Sequence, residues 1–489
     1  MREAIFHENE NVEIYSLPKG AVRVKRRIWP LLILLILIHL STVLYTIPLN
    51  RVIELRLCQS HYSTANPPEK LCKIDEIQRQ LAWIQGIMET TLVVCDLVVT
   101  VPFGFVAERW GVRVVLWCNL VPRVFMSVWA VVIGHFDHIL PTKSIIAGPF
   151  LAVLGGECVL QSTVWAMTAA LVNNDYIYRA KYFSYLSSTS YVVSFVGPTL
   201  ASFTMSRNLW APFYINIVLL ALAVPVVMLL PDNELLPVKS GVTRAGNDAE
   251  EADPLLSQSE DVPNHYSNAF ETQPGILQRI RTTVRKLVRL VVGRPNFQIL
   301  LCSFFLTALA SSDTKLLVQY ISKRYEWTFA QAGYMLSAKA IVNFTLLAIV
   351  VPRIVKFSIS SKAVHSSEVR LNVLGAQISI LISVVGVVCV ALAFKFWMML
   401  VALMIYALGS ALPVFTMSLV KSPLIALAHS DIQDFSIVML TKTLGSLVGT
   451  PFMTVLWVQA IRLGGVGLGL PYFVSGVSTV SITRAIANS

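Results

Sequence analysis

Long apolar stretches alternate with short polar ones along most of the chain. They run at roughly 29–49, 81–104, 114–136, 145–171, 182–204 and 212–231, pause, and resume at roughly 296–322, 331–356, 372–394, 397–420, 434–461 and 470–485. About 20 apolar residues in a helix cross the hydrocarbon core of a bilayer. Backbone amides find no water there, so each stretch must satisfy its own hydrogen bonds as a helix. The pattern therefore predicts an all-α integral membrane protein with twelve transmembrane helices, six before a long polar interval and six after it. The last stretch is the most polar, with several Ser and Thr and Arg484.

Composition agrees with lipid as the solvent. Of 489 residues, 55% are hydrophobic and only 14% charged, against about 25% charged in ordinary soluble domains. That excludes a soluble enzyme and a disordered chain. Lys and Arg number 39 against 28 Asp and Glu, a net +11. In a soluble protein such an excess would suggest nucleic acid; in a membrane protein it sorts to one side of the bilayer. Arg23, Lys25, Arg26 and Arg27 stand directly before the first stretch. Both termini and the central interval are therefore expected in the cytoplasm, and no nucleic-acid partner is expected. The polar N-terminal segment and the span-length run after it carry no small-residue cleavage site, so no cleavable signal is expected.

The central interval has two parts. Residues 232–275 are rich in acids, Ser, Asn and Pro and read as disordered. Within them Glu251, Leu255 and Leu256 fit an acidic dileucine signal that a sorting adaptor could read. That would address the protein to a vacuolar or endosomal membrane; the plasma membrane is the first choice. In residues 276–294, Ile276, Ile280, Val284, Leu287, Val288 and Val291 share one helical face, with basic residues opposite. This is either a helix lying on the inner leaflet or an extension of the seventh span.

Two of the seven cysteines, Cys58 and Cys72, fall in the first outer loop, where an oxidising compartment favours a disulfide. The other five lie in apolar stretches and read as core packing. The chain has no Cys/His metal spacing, no phosphate-cradling glycine loop and no nucleophile elbow. No enzymatic activity and no cofactor are expected.

After the second stretch the chain reads Gly104-Phe-Val-Ala-Glu108-Arg109-Trp-Gly111-Val112-Arg113. This resembles the loop signature of the major facilitator superfamily, with Glu108 in place of the usual Asp and Val112 in place of a basic residue. Gly104 would let the second and eleventh helices approach, Gly111 would permit a tight turn, and the acid and arginines would form a gate. Ser194-Phe-Val-Gly197-Pro198-Thr-Leu-Ala201-Ser202 is similar to that superfamily's antiporter motif in its Gly197-Pro198 core, although small residues at this spacing also serve plain helix packing. The stretches 81–86 and 154–156, Val318 to Arg324 with Trp327, and Gly469 to Tyr472 resemble a fungal branch that exports metabolites or toxins. The resemblance implies two six-helix bundles, at 29–231 and 296–489, around a central cavity that opens alternately to each side. Residues 1–28 and 232–295 would be the cytoplasmic N-terminal segment and central loop.

Eight charges fall inside the stretches: the acids Glu89, Asp96, Glu157 and Asp313, and the bases Arg123, Lys315, Lys339 and Lys442. An ionisable group in the bilayer is costly, so each is a functional candidate; the balanced signs equally allow buried pairs that fix helix packing. Glu89 and Asp96 stand two helical turns apart on one face. Glu157, beside two glycines mid-span, has the depth of a protonation site, and Arg123 is its natural partner. Asp313 and Lys315 point to different faces of the seventh span. His39 reads as a bonded interior histidine. Gln319, Tyr320 and Asn343 are uncharged candidates for substrate binding or for interhelical hydrogen bonds. The chain as a whole reads as a secondary transporter of a small organic solute, with protons as the coupling ion and export as the direction. A nutrient uptake carrier of the same fold and a non-transporting receptor or scaffold are the alternatives.

Overall fold

The computed structural model describes residues 19–64, 67–136, 140–172, 176–230, 295–346, 365–409, 412 and 431–487. The expected surface helix at 276–294, the sorting signal Glu251, Leu255 and Leu256, and the far ends of the eighth and tenth stretches lie outside them. Among the described residues every regular element is helical, and eight are long and apolar enough to cross a membrane.

Helix α1 spans Lys19–Tyr62, about twice the expected first stretch. The apolar run ends at Leu49, but the helix continues through Asn50, Arg51, Glu54 and Arg56 because each finds a partner inside the protein. Asn50 Nδ2 donates to Thr46 O at 3.0 Å, Arg51 pairs with Glu54 one turn on at 2.9 Å, and Arg56 Nη2 donates to Leu140 O at 2.7 Å. Helices α2 (Asp75–Trp110) and α3 (Val112–His135) are joined by Gly111, whose φ of 89° reverses the chain where a side chain would be strained.

The fourth span is not the continuous α-helix expected at 145–171. It enters as a 3-10 helix, Thr142–Leu154, breaks at Gly155 and Gly156, and resumes as α4, Glu157–Val172. Then follow α5 (Tyr176–Arg207) and α6 (Ala211–Leu229). The seventh span is also composite, with α7 (Pro295–Ser311), a 3-10 turn at Ser312–Leu316, and α8 (Leu317–Tyr325). The remaining elements are α9 (Phe329–Thr345), α10 (His365–Leu392), α11 (Phe396–Leu408), α12 (Asp431–Leu463) and α13 (Leu470–Ala487). With the fourth and seventh spans each counted once, they make twelve spans in two halves of six.

In the first half α1 packs on α5 and α6, and α3 packs on α6. In the second, α7 packs on α12 and α13, and α10 on α11 and α13. Two long seams join the halves, α2 against α12 and α5 against α9. Lipid gives helices no hydrophobic reason to associate, so small residues must bring backbones close. Gly86 of α2 faces Thr454 of α12, Gly333 of α9 faces Ser202 of α5, and Gly449 of α12 lies against Leu309 of α7.

Candidate functional site

Three helices of the first half converge on Glu157. Arg123 of α3 reaches Glu157 Oε2 with Nη2 at 2.6 Å, Thr42 Oγ1 of α1 with Nη1 at 2.7 Å, and Asn119 Oδ1 with Nε at 3.0 Å. Gln161 Nε2 donates to Glu157 Oε1 at 3.1 Å, and His39 Nδ1 lies 3.9 Å from the same oxygen. Although α1, α3 and α4 surround it, the Glu157 side chain keeps 40% of its surface accessible. A charged pair that stays partly accessible separates and re-forms at less cost than one buried on all sides.

The break before Glu157 explains Asp96. An α-helix starts with amide groups that have no partner in the helix, and α4 starts inside the membrane. The Asp96 carboxylate accepts Cys158 N–H, with Oδ1 at 3.0 Å and Oδ2 at 3.3 Å. Asn119 Nδ2 donates to Gly156 O at 2.7 Å from the other side. Asp96 thus caps a helix start, while Glu89, two turns away, pairs with Lys315 of the opposite half at 2.8 Å. One face of α2 therefore serves two different partners.

In the second half, Asp313 sits on the 3-10 turn of the seventh span with its side chain wholly buried. Tyr406 donates its hydroxyl to Asp313 Oδ1 at 3.2 Å, and Lys339 Nζ lies 4.2 Å from the centre of the Tyr406 ring. Lys315, two residues from Asp313, is partly exposed and faces the first half.

One end of the bundle is sealed by a polar network that the apolar pattern did not expose. Cys58 and Cys72 are joined, with Cα atoms 5.4 Å apart. The bond holds the short helix Glu69–Lys73 over α1, where Lys73 Nζ meets Glu54 Oε1 at 2.7 Å; the two side chains are 3% and 0% exposed. Gln78 and Arg51 also bond Glu54, at 2.6 and 2.9 Å. From this anchor the network crosses to the second half. Lys73 Nζ donates to Ser322 Oγ at 2.7 Å, Glu69 Oε1 accepts Phe329 N–H at 3.0 Å, and Lys323 pairs with Asp75 at 2.6 Å and donates to Lys73 O. A signal for Glu54 was available, since three charged residues follow Leu49 within seven positions, but the end of the apolar run was read as the end of the span.

Gln319 and Tyr320 belong to this sealed end. Gln319 is buried between Asn50 and Trp457, donating to Asn50 Oδ1 at 2.9 Å and accepting Trp457 Nε1–H at 3.1 Å; Tyr320 donates to Val390 O at 2.9 Å. Asn343 of α9 has a buried Oδ1 with no hydrogen-bond partner among the described residues. At the other end of the bundle Gly104, Glu108 and Arg109 lie on α2. Glu108 is in the last turn of that helix; the side chains of all three are outside the description. Arg113 donates to Met228 O and Leu230 O, tying the start of α3 to the carbonyls that end α6. Gly197 and Pro198 lie inside a continuous α5, with Gly197 packed on Val43 of α1.

Two helical halves with polar groups gathered along their seam define a membrane transporter. The chain belongs to the Major Facilitator Superfamily, whose family model matches residues 78–450. It is 26% identical over 438 residues to the MFS efflux pump atnC of Emericella nidulans, covering 88% of this chain and 80% of that protein. Its fold is similar to that of the D-xylose-proton symporter, with a TM-score of 0.61 at 13% identity over 94% of this chain and 97% of that one. The human organic anion transporter MFSD10 gives 0.60 at 13% identity, over 95% and 99%.

Proposed function

We propose that the chain exports a small organic solute in exchange for protons by alternating access. The observation that carries this reading is the Arg123–Glu157 pair, joined at 2.6 Å with His39 beside it and with 40% of the Glu157 side chain accessible. Protonation of Glu157 removes the charge that holds Arg123, and the guanidinium is left with Thr42 and Asn119. The three helices that carry these groups then lose their strongest mutual contact. Proton binding is thereby coupled to helix movement without any further cofactor. The sorting of Lys and Arg and the disulfide support an orientation with the sealed end outside. The name of the Emericella nidulans relative supports efflux. The plasma membrane is the proposed location, with a vacuolar or endosomal membrane reached through Glu251, Leu255 and Leu256 as the alternative address.

Reconstitution of the full chain in liposomes with an imposed pH gradient tests this. A panel of organic acids and their neutral analogues should include a solute whose flux follows the gradient. That flux should stop with a protonophore and lose its gradient dependence in Glu157→Gln. A flux indifferent to the gradient overturns proton coupling, and full coupling in Glu157→Gln overturns the site.

A further inference from the structure

Pairing off the charges inside the spans leaves a remainder. Glu89 takes Lys315, Glu157 takes Arg123, and Asp96 is engaged by the first amides of α4. Asp313 takes the Tyr406 hydroxyl, and Lys339 lies over that same ring within the field of Asp313. Lys442 of α12 is left over. Among the described residues it makes no ion pair within 4.0 Å. Its ammonium lies 5.1 Å from the centre of the Phe304 ring of α7. A lysine at the centre of a membrane helix is costly to hold there. A cation–π contact returns only part of that cost, and Phe is among the weaker rings. The contact falls short, so the ammonium needs water or an anion.

The helix geometry shows which way Lys442 faces. Leu444, Val448, Phe452 and Val455 form an exposed stripe of α12. At 100° per residue, Lys442 lies on the other side of the helix from that stripe. The next residue, Thr443, meets Cys158 of α4 at 3.2 Å, one residue from Glu157. This turn of α12 therefore borders the space between the halves at the level of the Arg123–Glu157 pair.

We propose that Lys442 is the anion-binding residue of the transport cavity, and that the cargo is an organic acid whose carboxylate pairs with Lys442. This deepens the transport reading given above and rests on it. An anion supplies the counter-charge that the fold omits, and its departure leaves the ammonium uncompensated, which favours loading again over resting empty.

Calorimetric titration of the purified full chain with a naphthoate and the matching uncharged naphthamide tests the assignment. The wild type should bind the carboxylate about tenfold or more tightly than the amide, equivalent to about 1.4 kcal/mol. Lys442→Arg should keep the preference, and Lys442→Gln should reduce carboxylate binding to the level of the amide. Lys442→Met, which removes a lone charge from the membrane, serves if the Gln variant elutes as an aggregate. A wild type with no preference, or a Gln or Met variant that keeps it, overturns the proposal. Gradient-driven flux of a neutral solute without a carboxylate preference would overturn this proposal and spare the transport reading. Carboxylate binding lost in Lys442→Gln, together with no flux of any panel member, would do the reverse.

Discussion

Lys73 Nζ bonds Glu54 Oε1 in its own half and Ser322 Oγ in the other, both at 2.7 Å. One ammonium is thus shared between the two bodies that must part if this end opens. Its attachment to the first half is an ion pair buried on both sides, and its attachment to the second is one neutral acceptor and the Phe329 ring, whose centre lies 4.3 Å away. The joint is strong on one side and weak on the other.

Lys73→Met should therefore weaken more than the seal. Glu54 would keep Arg51 and Gln78 but lose its most buried counter-charge, and breaking a buried pair from one side costs about 3–5 kcal/mol. A lowered thermal midpoint is expected, together with faster labelling of a Ser322→Cys reporter by an impermeant maleimide. Unchanged labelling would show that the seal does not depend on Lys73. Restoring neutrality with Glu54→Gln in the same chain should recover part of the stability but not the seal.

Removing the disulfide should act on the same place. Cys58 and Cys72 are separated by 14 positions, and closing a loop of that size is worth about 3 kcal/mol in the chain-entropy account. Cys58→Ser, or treatment with reductant, should lower the thermal midpoint and raise the Ser322→Cys labelling rate. In the Lys73→Met background the further rise should be small, because the short helix would then have little left to hold in place.

Gly156→Ala tests the break in the fourth span. A methyl group there would meet the Asp96 carboxylate and its Cα, displacing the group that caps α4. Overpacking of this kind costs about 1–3 kcal/mol. Gly476→Ala is the control, since the nearest atom is Val388 Cγ2 at an ordinary 3.5 Å; it should be neutral or slightly stabilising. Equal effects of the two on thermal stability would count against a special role for the break.

Arg123 and Glu157 should couple energetically. In a double-mutant cycle with Arg123→Gln and Glu157→Gln, the paired variant should be more stable than the sum of the single changes implies, by about 1–3 kcal/mol. Additive losses would mean that the 2.6 Å contact contributes nothing beyond its parts.

Lipid made the architecture readable. Because a spanning backbone must be helical, apolar runs near 20 residues located nearly every span. The ends were harder. Asn50, Arg51 and Glu54 look like the exit from a membrane, and they are instead the root of a seal whose partners lie 18 to 269 positions further along the chain. The two glycines beside Glu157 sit mid-span in the sequence pattern, and they mark a change of helix type. Charge positions could be read from the sequence, whereas their partners depend on helix rotation. Glu89 and Asp96 share a face, yet one reaches across to the other half and the other turns back to α4. Lys442 looked like any other membrane lysine until its neighbours had been paired off.

Glu69 gives the sealed end a different meaning. Its carboxylate accepts the amide of Phe329, the first residue of α9, so one half completes a helix that belongs to the other. The unbonded amides at a helix start are satisfied either by a side chain or by water, and this start lies at the mouth of the bundle. If the halves separate there, solvent can take the place of Glu69 while α9 keeps its form. The latch is made of contacts that water can replace, so its release exposes no group to hydrocarbon and it can close as readily as it opens.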